Sequence, residues 1–345
     1  MVSRSHTSTG SAPSLPGSSS NNARRKVNPM VKSRNVSRYL AKLAAVLLLV
    51  SLATFLLLEL IPGDPIDALL PDGATEEMRA AANERFGLDG PMLQRYFEWL
   101  GNAVQGDLGR SIQSQVPVAD AIVERLPVTL ELAFVSILLA LLIAVPVGVY
   151  SAYRPGGLVD RVTTLICAVT LSIPSFLLGV LLVFVFAVTL GALPVTGWTP
   201  LSEGLVPHLR SLALPVITLA ALEAVGFIRL LRNDMIATLQ QDFVLSARAR
   251  GLSAPRILLA HALRPSAFSL LTVMGVALGR LIGGTVIVES IFSLPGLGSL
   301  VLTSITGRDL FMIQGIVLVV AVGYVLLNAL VDLTYPLLDP RVRTT

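Results

Sequence analysis

Charge is scarce in this chain of 345 residues: Asp, Glu, Lys and Arg make up 14% of it, against about a quarter in an ordinary soluble domain. With 53% apolar residues and a mean hydropathy of +0.74, the composition excludes a soluble globule and requires a polytopic membrane protein. Lysine occurs only at Lys26, Lys32 and Lys42, after Arg25, Val31 and Ala41. A phosphate-cradling loop places its lysine directly after glycine, so ATP hydrolysis by that device is excluded. His6, His208 and His261 are the only histidines and Cys167 the only cysteine, which leaves neither a clustered metal site nor a disulfide framework. No G-x-S-x-G elbow occurs either, and Cys167 lies in an apolar run that disfavours a nucleophilic thiolate. The net charge of +4 is divided among separate segments rather than gathered on one surface, which argues against a nucleic-acid partner.

What the chain has in quantity is long apolar runs. Six of them, at 39–61, 130–150, 162–190, 211–231, 267–288 and 310–335, reach the roughly 20 residues needed to cross about 30 Å of hydrocarbon. Residues 1–38 carry seven basic residues, no acid and several Ser, Gly, Pro and Asn, and nothing in them can form a core, so they are expected to be disordered. That segment is too long and polar for a cleavable signal peptide, and Met30 is a candidate alternative start. Basic residues also dominate Arg154 and Arg161, the six arginines from Arg229 to Arg264, and Arg341 with Arg343. The positive-inside rule puts these segments, and therefore both termini, in the cytoplasm. By alternation, 62–126, 191–210 and 289–309 lie outside.

The segment 62–126 holds eleven acids and five arginines. It opens on Pro62-Gly63-Asp64-Pro65, a turn leaving the membrane, and then predicts helices at 75–86, with Glu76 and Glu77 in the first turn, at 92–104 and at 118–126 before Pro127. In the second of these, Leu93, Tyr96, Phe97 and Leu100 share one apolar stripe. Such a segment is a cap on the membrane helices, a docking surface for an acceptor protein, or both.

Between the fourth and fifth runs, 242–264 is too polar for lipid and too short for a domain. Residues 243–249 suit two helical turns, Gly251 the left-handed residue that ends them, and Ser253 the N-cap of a second helix with Pro255 in its first turn. The product is a helix-glycine-helix elbow bearing Arg248, Arg250, Arg256 and Arg264. Glu223 and Arg280 stand near the middle of the flanking spans, where an ionised group costs roughly 2.5–3.5 kcal/mol. They are candidate pathway residues, able to contact each other or a substrate carboxylate, unless they snorkel or pair structurally.

The elbow resembles the coupling loop of ABC-transporter permeases: Gly251 follows a short helix containing Ala247, and Leu263 comes twelve residues later. Leu245 and Ser246 replace the general Glu-Ala, and His261 an aliphatic residue, as in the peptide and nickel subgroup, whereas Pro265 replaces that subgroup's Asn. The resemblance covers about 38–343. It includes Gly63-Asp64-Pro65, 85–89, Tyr96 with Trp99-Leu100, Gly106-Asp107-Leu108-Gly109, Glu289 through Pro295-Gly296-Leu297-Gly298, and Leu338-Asp339-Pro340-Arg341. Throughout, the chain is similar to the B-type permease of dipeptide and oligopeptide importers.

That resemblance implies an all-α, six-span fold of the type I ABC importer permease, in a transmembrane domain at 39–343 with a helical extracytoplasmic insertion at 62–126. It implies a coupling loop at 235–265 whose Phe243, Ala247 and Gly251 form the surface inserted into an ATPase, with Arg248 and Arg250 in its polar rim and Leu263 behind. The implied partners are a homologous C-type permease, two ATPase subunits that carry ATP and Mg, a solute-binding protein and membrane lipid. No cofactor belongs to this chain. The implied cargo is a short peptide, with nickel chelates, glutathione and other peptide-like ligands as alternatives. A secondary transporter needs no such elbow and typically shows inverted repeats, which are not evident here. An intramembrane enzyme needs a catalytic pair at membrane depth, and none stands out beyond the isolated charges above.

Overall fold

The computed structural model describes residues 29–60, 66, 70, 74–86 and 89–338. Gly63, Asp64, Pro65, Asp339, Pro340 and residues 1–28 lie outside the described residues. The chain divides into a first unit, 1–44, and a second, 45–345. The described part of the first is the start of helix α1, Pro29–Glu59. Residues 29–38 are thus helical, where disorder was expected. Proline at the first helical position lacks only an N–H that would be unpaired anyway, and extending an existing helix is far easier than nucleating one.

Two short helices follow, α2 (Glu76–Phe86) and α3 (Met92–Val104), close to the bounds that the sequence predicts. The expected stripe on α3 divides, however: Tyr96 is buried, whereas Leu93 and Phe97 are exposed. The expected helix at 118–126 is not separate. It is continuous with the second span as α4, Val118–Tyr153, with Pro127 and Pro146 inside it. At about 1.5 Å per residue this helix is much longer than the hydrocarbon is thick, so its amphipathic first turns stand clear of the apolar run.

The third run is a broken span rather than one rod. Helix α5 (Leu158–Ser172) and helix α6 (Ser175–Leu182, continued by a π-helix at Val183–Thr189) meet at an angle of 103°. The residue before a proline is pushed out of helical backbone, and Ile173, ahead of Pro174, has ψ 122. Among the described residues five helices are long and apolar enough to cross a membrane, and the bent pair makes a sixth if it is one span.

The centre of the second unit is the pair α4 and α7 (Leu205–Leu239), where Gly148 lets Leu231 approach. After the elbow comes α10 (Leu263–Gly284), which packs on α4, α7 and the last helix, α13 (Leu310–Leu338). Gly275, Gly279 and Gly283 recur every fourth residue along α10 and meet Val331, Tyr324 and Val320 of α13. A Cβ on Gly279 would lie 2.7 Å from the Tyr324 ring. Small residues at this spacing let membrane helices touch along their backbones, where lipid offers no hydrophobic drive. Between α10 and α13 lie α11 (Val286–Ile291) and α12 (Leu297–Thr306).

Candidate functional site

The elbow forms as its local sequence predicts. Helix α8, Asp242–Ala249, ends in a Schellman turn: the Gly251 N–H donates to the Arg248 carbonyl at 2.9 Å and the Leu252 N–H to the Ala247 carbonyl at 3.3 Å. Gly251 has φ +76, and nothing lies within 4 Å of where its Cβ would be. Glycine is needed there for its backbone, not for space. Ser253 sits at the N-cap of a short helix, α9 (Ala254–Arg256), although its hydroxyl makes no capping bond. The chain then winds as a π-helix over Ile257–Ala262 before α10. The insertion of that wider turn re-aims everything after it, a feature that recurs at functional sites.

Burial divides α8 into two faces. Val244 and Ala247 are fully buried, while Asp242, Phe243, Leu245, Ser246, Arg248 and Arg250 are exposed. Ala247 is therefore not part of an inserted surface. It seats the helix, and Leu245, which the sequence reading passed over, is exposed like Phe243 but on the opposite flank of the buried stripe. Leu263 is half-buried against the core. At the base of the elbow Thr238 Oγ1 and Ser266 Oγ, 3.1 Å apart, tie the end of α7 to the start of α10.

At the start of α5 lies a carboxylate that the sequence reading missed. Buried Asp160 accepts from Arg232 Nε (2.5 Å) and Nη2 (2.8 Å), from Ser151 Oγ (2.5 Å) and from the Gly156 N–H (2.7 Å). These bonds lock the α4–α5 turn onto α7. An acid between Arg154 and Arg161 was the available signal, since a lone acid in a basic loop is well placed for an internal partner.

Midway along α7 and α10 the structure joins Glu223 and Arg280. Arg280 Nη2 donates to both carboxylate oxygens, at 2.7 and 2.8 Å. Glu223 is buried, but the Arg280 side chain is 66% exposed, so its guanidinium faces out of the unit while holding an internal acid.

At the end opposite the elbow, the residues of the Glu289–Gly298 motif form a joint. Fully buried Glu289 accepts from Thr129 Oγ1 (2.8 Å), Thr285 Oγ1 (2.7 Å) and the Ser299 N–H (2.9 Å), the last in the first turn of α12. A carboxylate at a helix N-terminus satisfies donors that the helix cannot pair itself. Any Cβ on Gly296 would strike the Glu289 carboxylate, and one on Gly298 would lie 2.6 Å from Val286 Cα. The Gly296 N–H closes a tight turn around Pro295 onto the Leu294 carbonyl at 2.9 Å. Nearby, Asp309 accepts from Ser111 Oγ and, at 3.1 Å, from the Ile112 N–H, which fastens the loop before α4 to the start of α13. His208 is held between Glu131 Oε1 and the Thr199 carbonyl, each 2.7 Å from a ring nitrogen. Among the described residues no group of three or more His, Cys, Asp or Glu is placed to hold a metal ion.

The arrangement thus comprises an exposed amphipathic elbow, braced cross-helix contacts behind it and no clustered metal-ligand set among the described residues. The chain itself has relatives among known proteins. Residues 144–344 match the family described as the binding-protein-dependent transport system inner membrane component, and residues 33–133 match the N-terminal family of the same membrane components. A probable peptide ABC transporter permease of Sinorhizobium fredii is 36% identical over 308 residues, covering 89% of this chain and 98% of that protein. An oligopeptide transport system permease of Bacillus subtilis is 37% identical over 300 residues, covering 86% and 95%. A di/tripeptide transport system permease of Pseudomonas aeruginosa is 34% identical, covering 89% and 98%. The solved MetNI methionine ABC transporter, in an inward-facing conformation, has a chain of similar fold, with a TM-score of 0.50 and 20% identity over 64% of this chain and 96% of that one. The chain belongs to the family of inner membrane components of binding-protein-dependent transport systems.

Proposed function

We propose that the chain is the membrane-spanning permease subunit of an ATP-driven importer of short peptides. The observation that carries this reading is the elbow: exposed Phe243 and Leu245 on the two flanks of a short helix that the core grips from behind, with exposed Arg248 and Arg250 near its end. On this reading the arginine-rich end is cytoplasmic, both termini lie on that side, and the exposed face of α8 is the contact for an ATPase. ATP and Mg belong to two such ATPase subunits. A second, homologous permease completes the translocation path, and a solute-binding protein delivers cargo at the outer face formed by 62–126, 191–210 and 289–309.

The mechanism follows from rigidity. Because α8 is seated by Val244 and Ala247, and because Thr238 and Ser266 join α7 to α10 at its base, movement of the ATPases turns α8 together with both helices. The nucleotide state then shifts the balance between inward and outward access through the contacts it makes or breaks at the elbow. Peptide cargo is supported by the names of the relatives. The test is uptake of labelled di- and oligopeptides by a strain whose other peptide importers are deleted. Removal of this gene should abolish uptake and its return should restore it. Uptake unaffected by removal overturns the reading.

A further inference from the structure

Helix α3 lies in a stretch that the sequence places outside the membrane, yet its partners are deep in one. The Tyr96 hydroxyl is 2.9 Å from Ser51 Oγ and 3.4 Å from the Leu48 carbonyl, and its ring stands edge-on to Phe55 at 5.4 Å. Arg95 pairs with Glu59 at 2.5 Å. All four partners are on α1, whose apolar stretch is Ala41–Glu59. Ser51 lies eight residues below the charged end of that stretch, which at about 1.5 Å per residue is on the order of 12 Å. Half the hydrocarbon is roughly 15 Å thick. The tip of Tyr96 therefore approaches the middle of the bilayer, and α3 lies beside the upper half of α1.

The rest of α3 fits that depth. Behind Tyr96 and Trp99, which face the protein, a second row of Leu93, Phe97 and Val104 is 62%, 65% and 82% exposed. Leu56 and Leu57 on α1 are exposed and apolar as well. A third face is polar: Gln94, Glu98 and Gln105 are exposed, and Gln94 Nε2 donates to Glu98 Oε1 at 2.8 Å. Water at the apolar row would be costly, and at this depth there is little of it.

We propose that α3 is an interfacial helix, embedded in the leaflet opposite the elbow. Leu93, Phe97 and Val104 meet acyl chains, and Gln94, Glu98 and Gln105 point to the head groups, the arrangement of an in-plane amphipathic helix. The phospholipid leaflet is the occupant of the apolar face because that face is carried at membrane depth by the bonds to Ser51 and Leu48. Tyr96 and Arg95 anchor α3 to the first span, and the solute-binding protein is left the polar remainder of the outer face.

The test is collisional accessibility of spin labels. In a Cys167→Ala background, single cysteines replace Leu93, Phe97, Val104, Gln94, Glu98 and Gln105 in turn. The labelled full chain, in its assembled form, is placed in phosphatidylethanolamine–phosphatidylglycerol vesicles. The ratio of oxygen to nickel-chelate collisions should be several-fold higher at Leu93→Cys, Phe97→Cys and Val104→Cys than at the other three. Equal ratios at all six positions overturn the proposal in favour of a water-exposed cap. Shielding of the apolar three from both reagents overturns it in favour of a protein partner.

Discussion

Arg280 holds both carboxylate oxygens of Glu223 with one nitrogen, and so links α7 to α10, the two helices that the elbow joins. Glu223 is buried and Arg280 is not, so loss of the arginine strands a charge, at a cost of about 1–3 kcal/mol or more for a buried acceptor. Arg280→Gln and Glu223→Gln should each lower the midpoint of thermal unfolding and the rate of uptake. The reciprocal pair Glu223→Arg with Arg280→Glu should recover a large part of both if the two residues act on each other. An Arg280 that contacts a substrate carboxylate instead would not be rescued, and uptake assays on the three variants decide between these roles.

Gly251 is required for its φ of +76 and not for lack of room. Gly251→Val forces a branched residue into left-handed backbone at about 1–3 kcal/mol and tilts the second half of the elbow. Asparagine tolerates that region, so Gly251→Asn should transport at close to the normal rate. ATPase activity measured alongside uptake in vesicles should show hydrolysis uncoupled from transport, or failed assembly, in the valine variant only. Normal coupled transport by Gly251→Val removes the elbow from the mechanism.

The two faces of α8 should respond to mutation in opposite ways. Phe243→Ala and Leu245→Ala remove exposed side chains and are expected to leave the unfolding midpoint unchanged while weakening co-purification of the ATPase. Ala247→Leu inserts three carbons where nothing is open, and overpacking costs about 1–3 kcal/mol. Its unfolding midpoint should fall even in the isolated chain. Pull-down and thermal unfolding, run on the same preparations, separate the outcomes.

The joint around Glu289 should fail by loss of folding rather than of chemistry. Gly296→Ala drives a methyl group into the Glu289 carboxylate, and Glu289→Gln turns one end of the acceptor into a donor amid Thr129, Thr285 and the Ser299 N–H. Each should lower the yield of assembled protein several-fold, with uptake per molecule unchanged in what remains. Normal yield combined with slow uptake would make Glu289 a participant in transport instead of a brace.

Membrane class, the six apolar stretches and the position of the elbow were legible in the residues, because each depends on composition or on neighbours within a few positions. A run of apolar residues needs no partner to declare itself, and a glycine that follows two helical turns announces a left-handed stop. The break at Ile173-Pro174 had a local signal as well, in the backbone limits that proline sets on the residue before it. Tertiary structure decided which apolar residues of α8 are covered, since Phe243, Val244, Leu245 and Ala247 differ little in character and only the core beneath them selects Val244 and Ala247. It also decided that Asp160 meets Arg232 and that Glu289 caps α12 with Thr129 from α4. It also set the expected helix α3 against the side of α1 through a tyrosine 45 positions from its serine. Pairings over such separations arise from how helices pack, a property that the order of residues along any one helix does not contain.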